Sequence, residues 1–255
     1  MGMALASRRD HYGAVDIDNI DEGVLHRDEA SYPQKLKEVL GKLAPASIYY
    51  KGNLSLLDKQ GVGFCGSRNA SEKGLRTAKD CAEQVVDESL VVVSGNASGV
   101  DLVAHRTALE NGGTTILVLP EGLNHFRIKK ELREVWDWSR VLVISQFKPQ
   151  EIWQAYRAMS RNQIIIGLSK AMIVIEAQEK GGTIEAGKSA LKLRIPLFVA
   201  EYQDMTHTQG NVRLLEMGAA KLKKNPSAGR AKLTSLFSTI DGIGLKAKVD
   251  QLNLF

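Results

Sequence analysis

The chain has 255 residues, is 44% hydrophobic and 25% charged, and carries a net charge of +5, an ordinary composition for a globule of one α/β domain with short extensions. No apolar run approaches the roughly 18–20 residues of a membrane span, and two cysteines, Cys65 and Cys81, exclude a disulfide framework and cannot make a zinc site alone. A reduced, cytoplasmic setting fits, and the basic excess suits either an anionic partner or plain solubility.

Residues 1–45 read as an N-terminal extension, polar and mixed in charge. Within it, Leu36, Val39, Leu40 and Leu43 recur at helical spacing, so Tyr32–Leu43 is expected to form a short helix that Pro45 ends. Residues 46–224 are expected to form the main domain. Ser47–Tyr50 reads as a strand leading into the turn signal Gly52-Asn53. Strand candidates follow at Val62–Cys65, Leu90–Val93, Thr115–Leu119, Val141–Ser145, Ala171–Ile175 and Pro196–Ala200. Helical stretches at Ser71–Asp87, Val100–Asn111, Ile128–Trp138, Glu151–Gly167 and Thr183–Leu193 separate most of them. Short, continuous strands rich in Val and Ile are those of a parallel sheet covered on both faces. The alternation predicts an α/β fold: an extended Rossmann-like, doubly wound, mostly parallel sheet. Gln209–Leu222 reads as one last helix, and residues 225–255 as a basic flexible tail without a core of its own.

Two strand–turn–helix segments stand out. The first turn is Gly66-Ser67-Arg68-Asn69, with Ser71 as an N-cap for the next helix. The second is Ser94-Gly95-Asn96-Ala97-Ser98-Gly99, followed by Asp101 and, one helical turn later, His105. Turns of this kind aim backbone N–H groups and a helix N-terminus at one place, which suits a phosphate. Neither fits the dinucleotide or P-loop pattern, and no cofactor is expected. Asp101 and His105 share a helix face; such a pair is catalytic in some sites and a structural hydrogen bond in many more. A third small-residue turn, Gly181-Gly182-Thr183, opens another helix, and Arg161-Asn162 falls near the point where the chain returns to the sheet. Arg127 and Lys130 are among the basic residues expected at the ligand edge, with Arg68, Lys73, Arg76, Lys129, Arg133 and Arg157. Phe126 has two readings, stacking on a base or packing on the core.

In order and spacing these residues resemble the DNA-processing protein A family (DprA, also called Smf). The resemblance is carried by Tyr32-Pro33, Tyr50-Lys51-Gly52-Asn53, Gly66-Ser67-Arg68, Ser94-Gly95, Gly99-Val100-Asp101, Ala104-His105, Arg161-Asn162, Gly167-Leu168-Ser169, Glu176-Ala177, Gly182-Thr183 and Gly210-Asn211. It implies a non-catalytic protein that binds single-stranded DNA, forms a homodimer and helps load a RecA-type recombinase, as in natural transformation. The family often has Arg where Ser98 stands, so the match departs at one expected phosphate contact. The chain also lacks room for the N-terminal helical domain and the C-terminal winged-helix module of many members.

The runner-up is an enzyme or sensor acting on a nucleotide. Gly181-Gly182-Thr183-Ile184-Glu185 distantly resembles the P-G-G-x-G-T-x-x-E motif of "lonely guy" phosphoribohydrolases, with one glycine missing and the Glu spacing one short. In that version Arg161 holds phosphate and Glu185 assists cleavage of an N-glycosidic bond. A defence-system nucleotide sensor is a related possibility. Finally, Gln251-Leu252-Asn253-Leu254-Phe255 resembles the peptide that binds the bacterial DNA polymerase sliding clamp. There Gln251 would hydrogen-bond at the pocket while Leu252, Leu254 and Phe255 fill an apolar groove; the alternative is that these side chains fold back onto the protein itself.

Overall fold

The structure is a computed structural model that describes residues 20–225 and 229–242. Nine strands form one sheet: β1 (Glu22–His26), β2 (Ser47–Gly52), β3 (Gly61–Cys65), β4 (Val91–Gly95), β5 (Thr115–Val118), β6 (Val141–Ser145), β7 (Ser169–Val174), β8 (Leu197–Ala200) and β9 (Ala220–Leu222). Their spatial order is β1-β2-β6-β5-β4-β3-β7-β8-β9. From β6 to β9 every neighbour is parallel. β1 and β2 add an antiparallel edge. Helices complete the layers, among them α1 (Gln34–Leu40), α2 (Glu72–Asp87), α3 (Val100–Glu110), α4 (Ala155–Leu168), α5 (Gly182–Lys192) and α6 (Gln209–Glu216).

The sheet buries both faces, as its unbroken Val/Ile runs require. Along β4, Val91 and Val93 point into a core shared with α1, α4 and α5, while Val92 points into a second core under α2 and α3. The chain winds outward from β3 through β4, β5 and β6, then returns to β7 on the other side of β3. That reversal opens a crevice at the carboxyl ends of the central strands, where open α/β sheets hold their ligands.

Four expectations about elements need correction. The segment set aside as an N-terminal extension contributes to the fold: β1 pairs with β2 along its length. Tyr32, Leu36 and Leu40 are buried in the same core as Ile164 and Ile165. The strand EGVLH has no strict alternation because only Leu25 is buried in it. Second, Ile128–Trp138 is not an α-helix; only Lys130–Val135 coils, as a 3₁₀ segment. The aromatic pairs that Trp136 and Trp138 make with Phe126 hold this loop against the face of β5 and β6. Third, α6 ends at Glu216. Gly218, at φ 101°, turns the chain in a conformation that favours glycine, and the remainder becomes edge strand β9.

Fourth, the region after Leu222 does acquire a core. Residues 234–242 are helical, and Leu233, Leu236 and Ile240, at helical spacing, are buried against α2 and Phe198. Burial of side chains this size is worth about 1.5–3 kcal/mol each. Gln84 Nε2 donates to the Ala231 carbonyl at 3.0 Å, and Arg230 pairs with Asp80 and Glu83. The Gln251–Phe255 peptide lies outside the described residues.

Candidate nucleic-acid interface

The crevice is a cleft of about 460 Å³ over the carboxyl ends of β3, β4 and β7, with α4 along one side. Its lining brings together Gly66, Ser67, Arg68, Asp101, Arg161, Asn162, Gly182 and Thr183, all expected from the sequence. Arg127 and Lys130 do not line it. Arg127 instead donates to the Asn124 and Phe126 carbonyls of its own loop, at 3.0 and 2.6 Å. Phe126 takes the core-packing option, 5.8 Å from Trp136 between ring centres.

The two conspicuous turns are tied to each other. Gly99 has φ 71°, and a Cβ there would lie 2.3 Å from the Ser67 carbonyl oxygen. Glycine therefore permits the contact in which Val100 N–H donates to Ser67 O at 3.3 Å. Gly66 is needed for the same approach, because a Cβ on it would meet Val100 at 2.4 Å. Ser94 is fully buried and donates to Phe64 O at 2.8 Å, so it ties β4 to β3 rather than facing the cleft. Asn96 stays in the turn, half-buried.

Helix ends are similarly preoccupied. Ser71 caps α2 as expected, accepting from Gly74 N–H at 3.0 Å. Glu176, at the end of β7, accepts from Ser71 N–H at 2.8 Å and from its hydroxyl at 2.5 Å. A carboxylate thus already sits at the positive end of α2. Sequence reading placed Glu176 in a family match but gave it no partner, since Ser71 is 105 residues away. At α3, Asp101 accepts from Ala97 N–H at 3.2 Å. By contrast, α5 has no side-chain cap, and both Gly181 and Gly182 are exposed. Thr183 donates to Gly66 O at 3.1 Å, which docks this third turn beside the first.

His105 is buried and serves the scaffold. Its Nε2 lies 2.7 Å from Gly95 O and its Nδ1 2.6 Å from Thr115 Oγ1. Burial pushes its pKa from 6.5 down to about 4, so the ring is neutral at pH 7. Gly95 O can only accept, which puts the proton on Nε2; Nδ1 faces the Thr115 hydroxyl, which also lies 2.8 Å from Val92 O and has one proton to share between the two. The ring therefore props the second turn from beneath. Both ring nitrogens are used, and the Asp101–His105 pair does not form a hydrogen-bonded dyad.

Arg161 is the unusual group. It is 6% exposed, yet it faces the cleft. Nη1 donates to Val118 O at 2.7 Å, whereas Nε is buried without a partner. The guanidinium lies on Gly95 so closely that a Cβ there would be 1.6 Å from Nη1. Burial lowers its pKa, opposed by the charges of Asp101 and Glu121. Burial likewise raises Glu121 and lowers Lys129, two members of this charged group. Glu121 was not among the expected residues; it gives no sequence signal beyond following Pro120.

Arg157 is committed elsewhere, to Ile152 O at 2.8 Å and Glu151 at 3.3 Å. Glu185, which assists bond cleavage in the enzymatic alternative, accepts from Lys188 Nζ at 2.7 Å and does not line the cleft. Cys65 lines it, but burial pushes its thiol up to about 12, which leaves no thiolate nucleophile at neutral pH. Among the described residues no helix is long and apolar enough to cross a membrane, and no group of three or more His, Cys, Asp or Glu is placed to hold a metal.

Comparison with known proteins agrees with this geometry. DNA processing protein DprA of Streptococcus pneumoniae is 37% identical over 162 residues, covering 63% of this chain and 56% of the relative. Protein Smf of Escherichia coli is 32% identical over 171 residues, covering 65% and 44%. The chain thus spans about half the length of these two relatives. The crystal structure of the pneumococcal protein superposes with a TM-score of 0.71 at 31% identity, covering 79% of this chain and 71% of the other. DNA processing protein A of Helicobacter pylori shares the fold, with a TM-score of 0.69 at 23% identity over 92% and 98% of the two chains. The model of the DNA recombination-mediator protein A family matches residues 23–231, from the edge strand through all three turns and past β9, and the chain belongs to that family.

Proposed function

We propose that the cleft binds the backbone of single-stranded DNA and that the protein acts without catalysis, as a mediator of recombination. The observation that carries this reading is Arg161: a buried guanidinium with an unused donor, at the base of a cleft that also holds exposed Arg68 and the uncapped turn of α5. Phosphate is the anion that such a planar donor matches. The Helicobacter pylori relative binds single-stranded DNA, which supports the same ligand here. Glu185, on which the nucleotide-cleaving alternative depends, does not line the cleft.

The test is a titration of an unstructured oligonucleotide across salt. Wild type is expected to bind at low salt and weaken linearly in log–log form. Arg68→Ala should lower affinity and reduce the magnitude of the slope by about one. A folded protein that does not bind at low salt overturns the reading. Homodimerisation and delivery of a RecA-type recombinase belong to the same proposal, on the strength of family membership. Docking of Gln251–Phe255 on the sliding clamp is a separate part of it, resting on the five-residue pattern.

A further inference from the structure

Four large apolar side chains stand exposed close together in sequence, just before α4 and along its first turns: Ile152 (61%), Trp153 (50%), Tyr156 (61%) and Met159 (49%). Trp153 and Met159 line the cleft itself. This surface is continuous with the phosphate slot, and leaving so much apolar area in water is unfavourable unless something covers it.

The segment that carries it is held firmly. Arg157 donates to Ile152 O at 2.8 Å and pairs with Glu151 at 3.3 Å, while its guanidinium lies 5.0 Å from the centre of the Phe147 ring and 5.7 Å from that of Tyr156. Its side chain is only 11% exposed. A largely covered arginine thus braces the loop before α4 and packs against Tyr156. Such bracing lowers the entropy lost when a ligand settles on this segment.

We infer that Trp153 and Tyr156 form a platform on which unpaired bases stack while their backbone lies in the cleft. This rests on the single-stranded DNA reading above and adds what distinguishes a strand from a duplex. A flat ring beside a cation-lined groove matches an unstacked base, whose faces are apolar and whose linking phosphates are anionic. A duplex hides those faces between neighbouring pairs, so it gains only the phosphate contacts. The platform therefore selects strands by their free bases.

The experiment compares an oligo-dT with an abasic phosphodiester chain of the same length and charge, both titrated against the full chain at one salt concentration. The dT strand is expected to bind about tenfold tighter or better and to quench tryptophan fluorescence. Trp153→Ala should remove that advantage, costing far more affinity toward dT than toward the abasic chain; Trp153→Phe should keep most of the affinity while losing the quench. Equal wild-type affinity for the two strands overturns the inference and leaves the phosphate reading standing. So does a Trp153→Ala protein that weakens toward both strands alike, since that is the result of a purely structural role. Binding of neither strand removes both.

Discussion

Arg161→Met separates what the buried guanidinium does for the fold from what it does for the ligand. Methionine keeps a long, unbranched stem and removes the charge. In the folded protein the wild-type group makes one recorded hydrogen bond, to Val118 O, and leaves Nε unmatched. A buried donor without a partner costs about 1–3 kcal/mol, and stranding the Val118 carbonyl costs a similar amount. These two terms offset. What remains is the relief of burying a cation that has no ion pair within 4 Å among the described salt bridges; for buried ion pairs, apolar replacement is often neutral to stabilising by about 1–4 kcal/mol, and the same desolvation relief applies here. The expected net is between zero and about 3 kcal/mol of added stability, or a Tm higher by up to roughly 9 °C for a chain of this size. DNA affinity should move the other way. Loss of one charge-assisted contact of about 1.5–3 kcal/mol lowers it by roughly 10- to 100-fold. Calorimetry and fluorescence anisotropy on the same preparation read both quantities. A variant that melts more than about 5 °C lower yet binds DNA as before would falsify the assignment, because Arg161 would then be a structural brace.

Two further outcomes are expected. His105 is held near pKa 4 against an ordinary 6.5, so between those pH values the unfolded chain binds a proton that the folded one refuses. Its contribution is complete above pH 6.5 and is lost as pH falls toward 4, by about 3 kcal/mol at most; urea titrations from pH 4 to 7 should show His105→Gln flattening that stretch, and an unchanged curve would mean another group controls it. For the tail, deletion of residues 251–255 should abolish retention of the sliding clamp in a pull-down while leaving oligonucleotide affinity as it was. Clamp retention by the shortened chain would discard the peptide.

Local order in the sequence made much of this molecule legible. The Val/Ile runs marked the six central strands, and Ser71 marked its helix start, because those signals act within a few residues. The helix expected over Gln209–Leu222 failed at Gly218, where a positive φ outweighs the periodicity of its flanks. β1 was missed because an edge strand buries one residue and leaves no pattern. Residues 233–240 carry a short apolar repeat, but a loop rich in Lys, Pro and Gly precedes it and dominates the local composition. In the site, turn residues were found because glycine is conspicuous. Their roles were less so: Glu176 acts on Ser71 across 105 positions, and only the folded chain shows that His105 faces Gly95 and Thr115.

The internal carboxylates bear on what kind of ligand the cleft can take. A site for a single nucleotide gains most of its grip from helix N-termini aimed at a diphosphate. Here α2 is met by Glu176 and α3 by Asp101, so two of the helix ends near the cleft are already neutralised from within. What remains positive is spread out: buried Arg161, Arg68 at the rim, Lys180 and the open end of α5. A dispersed set of cations grips one phosphate weakly. It suits a chain of phosphates, each held by one contact, with release at moderate salt. That grip fits the proposed binding of a single strand, and the acids that cap the protein's own helices supply the restraint.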